Sequence, residues 1–166
     1  MVNNFPQADP ESLRSGMRKW VAGVTVVSSE YNGEQHGMTV SSFTSISAEP
    51  PMILVSLESS TRTHAVIFQS GFFGVTLLSE DQEWLSERFA GRTGLESDRF
   101  SGLDIFRLIS TSPLIAGGLA YFDCRLVNTM RAGTSTVFLA EVMAASISGS
   151  EEPLVYTNRG YRRLQP

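Results

Sequence analysis

The sequence predicts a mainly β protein, an antiparallel β-barrel with a few helices around it. Turn-forming residues separate strand-like runs at three hairpin positions, Asn32-Gly33, Ala132-Gly133 and Asn158-Arg159-Gly160. The helical patterns are few and short. The chain has 166 residues, 42% of them hydrophobic and 18% charged, which suits a single domain over residues 1–166 with a sizeable core. We expect the polar segment 1–9 to be flexible.

The first half of the chain reads as one helix followed by three strands. Asp9 can cap a helix that has Pro10 at its first position. Apolar residues recur at helical spacing from Leu13 to Val21, which predicts a helix over Pro10–Trp20. The strands are predicted from β-branched and apolar runs at Val24–Ser28, Gln35–Ser42 and Met52–Leu57.

The second half reads as two helices and five strands. One helix covers Thr61–Ser70 and is ended by Gly71; the other is opened by the capping-box pattern Ser79-Glu80-Asp81-Gln82 and runs to about Phe89. Residues 91–104 form a loop long enough to be functional. The strands are predicted at Phe72–Leu78, Leu119–Met130, Thr134–Ile147, Leu154–Tyr156 and Tyr161–Leu164.

Composition excludes several classes of protein. The net charge of −4 and the lack of a basic stripe argue against a nucleic-acid binder. No run approaches the roughly 18 apolar residues that span a bilayer, so we expect no membrane association. The N-terminus lacks the apolar core of a signal peptide. The single cysteine, Cys124, cannot form an intramolecular disulfide, and we expect the protein to be cytoplasmic.

No motif specifies a metal, a nucleophile or a standard nucleotide loop. The two histidines, His36 and His64, have no companions at metal-ligand spacing, so we expect no metal site. The sequence specifies neither a Ser-His-Asp nor a Cys-His grouping. It also lacks GxGxxG and GxxxxGK[ST], the signatures of Rossmann and P-loop sites.

Two polar segments are candidate binding elements, each with an ordinary structural alternative. Ser59–Thr63 places hydroxyls and Arg62 at a predicted helix start, where phosphate binds well, although the same residues also suit a plain N-cap. Between Thr39 and Ser47 the chain carries six Ser and Thr residues in an extended pattern. These hydroxyls could bond the edge of a heteroaromatic ring, but by themselves they favour an exposed edge strand or a loop.

The C-terminal segment Tyr156–Arg163 concentrates aromatic and cationic side chains. It could stack on and pair with a dinucleotide, or it could be a solvated tail.

A set of short motifs recurs in a defined order from about Leu13 to Leu164. They are Trp20–Val27, His36–Phe43, Ser45–Ser47 leading to Pro50-Pro51, Val75–Ser79, Phe89–Gly91 and Phe138–Val142. In this order and spacing the chain resembles the short-chain flavin reductases, the reductase components of two-component flavin monooxygenases.

The resemblance implies the FMN-binding split barrel, an antiparallel Greek-key fold, in a homodimer with flavin near the subunit interface. It implies an NAD(P)H:flavin oxidoreductase. Such an enzyme transfers hydride from NADH (or NADPH) to FAD (or FMN). The reduced flavin then serves a separate monooxygenase. Hydride passes directly between the two cofactors, so no catalytic residue is expected.

The resemblance also assigns site residues. Flavin-binding positions are Met38, Thr39, Val40, Ser41 and Ser42 at the ring, Ser56, Leu57, Ser59, Ser60, Thr61, Arg62 and Thr63 towards the ribityl and phosphate, and Phe89 and Gly91 closing over the flavin. Nicotinamide-binding positions are Ser135, Tyr161 and Arg162. Many relatives carry His where this chain has Ser135 and Arg162. This difference keeps open an alternative, a non-catalytic flavin carrier or sensor on the same barrel.

Overall fold

The computed structural model describes residues 7–94, 98–149 and 151–164. Three α-helices and twelve strands lie within these ranges. In chain order they are α1 (Pro10–Met17), β1 (Ala22–Gly23), β2 (Thr25–Tyr31), β3 (Glu34–Val40), β4 (Phe43–Ala48), β5 (Pro51–Glu58), α2 (Arg62–Ser70), β6 (Phe72–Leu77), α3 (Glu83–Phe89), β7 (Ile105–Phe106), β8 (Leu114–Ile115), β9 (Ala120–Ala132), β10 (Ser135–Ile147), β11 (Val155–Thr157) and β12 (Gly160–Arg162).

Seven strands form one antiparallel sheet in the order β3-β2-β6-β9-β10-β5-β4. The first and last strands of this order, β3 and β4, are joined by only Ser41 and Ser42. The two ends of the sheet therefore meet, and the sheet curls into a barrel. A three-stranded sheet, β1-β11-β12, and the small pair β7-β8 lie beside it. The predicted mainly β, antiparallel barrel with a few flanking helices is confirmed.

The interior of the barrel is filled by alternating side chains of its strands. β5 buries Ile53, Val55 and Leu57, while its intervening residues are only partly buried. They pack with Phe73, Phe138 and other residues of the same cluster, which also includes Ile67 from α2. This strict period of two is what a sheet with one buried face requires.

A second apolar cluster lies outside the barrel and holds α3 against the sheet. Val24 and Val26 of the β2 segment pack with Leu85 and Phe89 of α3. Residues 25–29 of β2 are consequently buried on both faces. Because α3 is anchored by this cluster, its neighbouring polar residues are held beside the C-terminal half of β3, where the candidate site lies.

Most predicted element boundaries agree with the structure. Asn32-Gly33 makes the first hairpin with positive φ at both residues. α2 is capped by Thr61 and ended by Gly71 at φ 74°. The predicted Ser79–Gln82 capping box is present, with the Ser79 N–H donating to Gln82 Oε1 at 3.1 Å, although its first turn is a 3₁₀ turn before α3.

Several boundaries differ from the prediction, and strands β1, β4, β7 and β8 were not predicted; three of the boundary differences have a local reason. α1 ends at Met17 rather than Trp20, because Lys19 and Trp20 form tighter bonds to the residues three before them. β3 ends at Val40 rather than at Ser42, whose hydroxyl bonds the backbone of β5. The β9–β10 turn is Gly133-Thr134, one residue later than predicted.

The expected flexible segment 1–9 falls mainly on residues 1–6, which lie outside the described residues. Asp9 is the N-cap of α1, and its carboxylate accepts from the Ser12 N–H at 2.6 Å. Within the described ranges, each helix is too short and too polar to cross a lipid bilayer.

Candidate functional site

Three neighbouring cavities form one groove along β3 and α3. The basic cavity, about 490 Å³, is lined by His36, Met38, Thr39, Thr61, Arg62, Thr63, Phe89, Ala90 and Arg99. The tyrosine cavity, about 170 Å³, is lined by Val24, Thr39, Ser41, Ser86, Ala90, Arg92, Tyr156 and Tyr161. The tryptophan cavity, about 460 Å³, is lined by Met17, Trp20, Ala22, Ser41, Ser42, Phe43, Thr44 and Tyr156.

The cavities adjoin one another, because neighbouring ones share lining residues. Thr39 and Ala90 line both the basic and the tyrosine cavity. Ser41 and Tyr156 line both the tyrosine and the tryptophan cavity. The groove therefore presents cations at one end, hydroxyls and phenols in the middle and an indole at the far end.

The hydroxyl-rich segment after residue 38 supplies one wall of the groove. The Thr39 hydroxyl donates to the Ser86 carbonyl oxygen at 2.6 Å and ties β3 to α3. The Ser42 hydroxyl donates to the Ser56 carbonyl oxygen at 2.6 Å and accepts from the Ser56 N–H at 3.2 Å. Val40 lies between them with its side chain in the barrel core. Beyond Ser42 the hydroxyls sit on β4, an exposed end strand, as the structural alternative predicted.

The start of α2 supplies the basic cavity with hydroxyls. Thr61 is the N-cap: its hydroxyl donates to the Glu58 carbonyl at 2.8 Å and accepts from the His64 N–H at 3.4 Å. Thr63 is buried, and its hydroxyl lies 2.7 Å from His36 Nδ1. Thr61 therefore serves as the N-cap of α2 and, together with Thr63, also lines the basic cavity.

Two guanidinium groups face the same cavity. Arg62 is about half exposed and donates through Nε to Glu34 Oε1 at 2.7 Å, which lowers the pKa of Glu34. Arg99 donates through Nη1 to the carbonyl oxygens of Phe89 (2.8 Å) and Gly37 (3.1 Å). Its Nε is buried without a hydrogen-bond partner among the described residues. A buried donor without a partner is costly.

His36 is uncharged in this setting. Burial lowers the pKa of His36 to about 4, and the positive charges of Arg99 and Arg62 contribute to the shift. A negatively charged group in the basic cavity would reverse the electrostatic part of this effect. The two guanidinium groups therefore give the cavity an excess of positive charge, which favours an anion over a cation.

Hydrogen bonds to α3 hold Tyr161 in place in the tyrosine cavity. Its hydroxyl donates to Glu87 Oε1 at 2.6 Å and lies 2.8 Å from the Ser86 hydroxyl. Burial raises the pKa of Tyr161 to about 12, and the bond to Glu87 adds to it, so the phenol keeps its proton at neutral pH. Tyr156 packs edge-on against the Tyr161 ring at 5.3 Å, and Arg92 donates to the same Glu87 oxygen at 2.8 Å.

The structure gathers some of the predicted site residues and sets others apart. Those that line the groove are Met38, Thr39, Ser41, Ser42, Thr61, Arg62, Thr63, Phe89 and Tyr161. Leu57 and Phe89 are buried, so Leu57 belongs to the barrel core and Phe89 forms a covered floor beneath the basic cavity. Gly91 follows α3 with φ 75°. An added Cβ would lie 2.9 Å from Arg99 Nη2, so the glycine leaves room for that guanidinium.

Ser59, Ser60, Ser135 and Arg162 do not line these cavities. The Ser59 hydroxyl lies 3.1 Å from that of Thr136, and Ser60 follows it in the turn before α2. Ser135 starts β10 opposite Glu58, near the start of α2. Arg162 is exposed and donates to the carbonyl oxygen of its neighbour Tyr161. Ser135 lies in the seven-stranded sheet, whereas Tyr161 lies in the three-stranded sheet.

Sequence reasoning missed His36, Arg99, Ser86 and Glu87 as members of the site. Arg99 belongs to the loop 91–104, whose length was the available signal. His36 opens one of the recurring motifs, but a lone histidine carries no signal for an anion site. Glu87 resembled any solvent-facing helical acid until the fold placed it beside Tyr161.

A barrel with an anion cavity leading into a hydroxyl- and tyrosine-lined groove defines a protein suited to a flat, phosphorylated ligand. The model of the flavin reductase like domain matches residues 17–165. The chain belongs to this family, and the resemblance stated from its motifs is confirmed.

Individual relatives agree in sequence and structure. The chain is 36% identical to the reductase component of the FADH(2)-dependent resorcinol hydroxylase of Rhizobium sp. (strain MTP-10005), over 99% of this chain and 93% of that protein. It is 34% identical to an FMN reductase (NADH) of Methylorubrum extorquens (strain PA1), over 99% and 95%. The solved NADH:FAD oxidoreductase SgcE6 of Streptomyces globisporus C-1027, in complex with NAD and FAD fragments, superimposes with a TM-score of 0.88 at 31% identity, covering 98% of each chain.

Proposed function

We propose that this protein is an NAD(P)H:flavin oxidoreductase that reduces FAD, or FMN, with NADH, or NADPH, and supplies reduced flavin to a separate monooxygenase. The observation that carries the proposal is that the basic cavity and the tyrosine cavity adjoin one another at Thr39 and Ala90, which line both. A phosphate and a flat ring joined by a short chain match that order of cations, hydroxyls and aromatic side chains.

The basic cavity holds the flavin phosphate. Arg62 offers guanidinium donors that its bond to Glu34 leaves free, because only Nε is engaged there. Arg99 is fixed by two carbonyl oxygens, so it presents its charge without losing further side-chain freedom. Thr61 at the start of α2 adds the positive end of the helix dipole.

The hydroxyl-rich wall orients the ring. β3 is an end strand of the seven-stranded sheet, so one side of its backbone pairs with no other strand of that sheet. Its free N–H and C=O groups, together with Ser41, provide donors and acceptors for the polar edge of a ring. Thr39 fixes this wall by its bond to Ser86.

Tyr161 lines the part of the groove where the nicotinamide is held. When both ligands are bound, the nicotinamide and the flavin supply the hydride donor and acceptor, and the protein supplies position and exclusion of water. The Tyr161 hydroxyl donates its hydrogen bond to Glu87, so the phenolic oxygen keeps lone pairs with which it can accept a hydrogen bond. Ser135 and Arg162 lie outside the groove of a single chain, so any nicotinamide contact they make requires a second chain. We accordingly propose a homodimer, acting in the cytoplasm.

The test is direct. Purified protein is mixed with NADH and FAD or FMN without oxygen, and absorbance at the nicotinamide band is followed. We expect rapid loss of that band and bleaching of the flavin. If neither NADH nor NADPH is oxidised with either FAD or FMN, the proposal is overturned. A yellow protein that NADH does not bleach would instead favour the carrier or sensor.

The role of Tyr161 has its own measurement. Tyr161→Phe removes the hydroxyl and its bonds to Glu87 and Ser86. We expect the KM for NADH to rise severalfold while flavin affinity changes little. The matched control is Tyr31→Phe, at an exposed tyrosine on the β2–β3 hairpin. Equal effects of both variants on the KM for NADH would contradict the role.

A further inference from the structure

His36 lies between the two cations of the basic cavity. It belongs to β3 and lines the cavity together with Arg62 and Arg99. The residue is partly buried, and the two nitrogens of its ring have different surroundings. Which of them carries the proton decides what the ring can bind.

Nδ1 of His36 is engaged within the protein. It lies 2.7 Å from the hydroxyl oxygen of Thr63, a residue with no exposed surface. A buried hydroxyl needs an acceptor for its proton, and Nδ1 is the only hydrogen-bond partner of the Thr63 hydroxyl among the described residues. The hydroxyl therefore donates to Nδ1, and a neutral ring carries its proton on Nε2.

Nε2 of His36 is free to bind a ligand. It makes no hydrogen bond to the residues that the structure describes, where only Nδ1 of this ring is paired. It is also not one of the buried atoms left without a partner, so it is open to solvent. Because His36 lines the basic cavity, this free N–H is placed to donate to an anion held there.

A neutral donor suits the charges around His36. Burial, followed by the charges of Arg99 and Arg62, lowers the pKa of His36 to about 4, so the ring adds no third positive charge at neutral pH. A neutral imidazole supplies a directional hydrogen bond without repelling the two guanidinium groups. Since Nδ1 already accepts from Thr63, the ring offers the cavity a donor and no acceptor.

We infer that His36 is a ligand of the flavin phosphate, to which it donates Nε2–H as a neutral imidazole, and that Thr63 is the positioning residue that sets this tautomer. The inference rests on the proposed function, which places the phosphate in the basic cavity. Arg62 and Arg99 supply the charge that attracts the phosphate, and His36 supplies a hydrogen bond of fixed direction.

Two amide variants separate the roles of the two nitrogens. In His36→Gln the amide reaches the place of Nε2 and keeps a donor for the cavity. In His36→Asn it reaches only the place of Nδ1 and keeps a partner for Thr63. We expect the Kd for FMN to rise about tenfold in His36→Asn, the size of one hydrogen bond to a charged group, and to change much less in His36→Gln. The Kd for riboflavin, which lacks the phosphate, should stay the same in both, which also shows that they fold.

The matched control is His64→Gln, because His64 is the only other histidine and lines none of the three cavities of the groove. Equal losses of FMN affinity in the two His36 variants, or a loss for riboflavin as large as that for FMN, would overturn the inference and leave His36 a structural role. Unchanged FMN affinity in His36→Asn would overturn it as well. Oxidation of NADH by the unmodified protein reads the proposed function separately and survives each of these results.

NMR of the imidazole nitrogens provides a second test, because the chain has two histidines and His64→Gln assigns their signals. At pH 8 the unprotonated nitrogen of His36 should be Nδ1, and FMN, but not riboflavin, should shift the Nε2 signal. Thr63→Val should remove the preference for this tautomer and weaken FMN binding severalfold. A proton on Nδ1 in the free protein, a doubly protonated ring with FMN bound, or an Nε2 signal that FMN leaves unchanged would overturn the inference.

Discussion

Arg62 is the most direct test of how the groove holds flavin. Its side chain is 54% exposed and its only ion pair among the described residues is with Glu34, which is 51% exposed. An exposed pair of this kind contributes little to folding because water screens it. Arg62→Ala should therefore leave the unfolding midpoint nearly unchanged, and any loss of flavin affinity is then a binding effect.

The size of that effect follows from the contacts that remain available. A hydrogen bond to a charged partner contributes about 1.5–3 kcal/mol when it forms in a protein. Glu34 competes for the same guanidinium and water reaches it, so the lower end of that range applies. We expect about 1.5 kcal/mol, which is roughly a tenfold weaker Kd for FMN. The rate of hydride transfer within the bound complex should change less.

The assay compares two ligands that differ only in the phosphate. FMN and riboflavin are titrated by flavin fluorescence against the unmodified protein and Arg62→Ala. FMN affinity should fall and riboflavin affinity should hold, whereas Glu34→Gln should tighten FMN by removing the competing carboxylate. Arg125→Ala is the matched control, because Arg125 is 56% exposed, pairs with Glu141 and lies outside the groove. An equal loss for riboflavin, or an unchanged FMN affinity, would refute the assignment.

Three further predictions concern stability. Asp123 is buried and accepts from two backbone N–H groups and the Ser110 hydroxyl at 2.6–2.8 Å. Asp123→Ala should lower the free energy of unfolding by about 3 kcal/mol. The control is Asp98→Ala, because Asp98 is exposed and accepts from two backbone N–H groups; it should cost much less. Equal losses of stability for the two variants in urea titrations would contradict this prediction. The pKa of His36 is about 4 when folded and 6.5 in the reference state, so the unfolded chain binds the proton first and stability falls as pH drops from about 6.5 to 4. His36→Gln should remove about 1–2 kcal/mol of that pH dependence, allowing for partial solvent screening, and an unchanged slope would argue against it. Gly74→Ala would place a Cβ 2.8 Å from a methyl group of Leu114 on β8. It should lower the free energy of unfolding by about 1–3 kcal/mol, measured by thermal or urea unfolding. An unchanged stability would show that β8 shifts to accommodate the methyl group at no cost.

Local sequence signals predicted most secondary structure. Thr61 with Gly71 bounded α2, and Asn32-Gly33 set the first hairpin, because caps and tight turns depend on residues only a few positions apart. The end of α1 was placed three residues too late. Its apolar residues keep helical spacing beyond Met17, but none of them is buried, so no core contact extends the helix.

The candidate site was predictable only in part. Thr39, Ser41 and Arg62 were assigned through the family resemblance, and all three line the groove. Arg99 and Glu87 were not, because their roles depend on contacts with residues far away in the chain. Arg99 reaches Gly37, and Glu87 reaches Tyr161, across 62 and 74 positions.

The sequence by itself determined the mainly β class, the hairpins and caps, and the membership of the flavin reductase family, because each follows from short-range patterns or from motif order. The tertiary structure alone decided which polar residues share the groove. Curling of the seven-stranded sheet brings β3 and β4 together at Ser41 and Ser42, and packing of α3 on β2 sets Ser86 and Glu87 beside them. Packing between distant segments also places Arg62 and Arg99 around the same cavity as His36, so that end of the groove is positively charged. Such proximity comes from packing between distant segments, which local propensity does not encode.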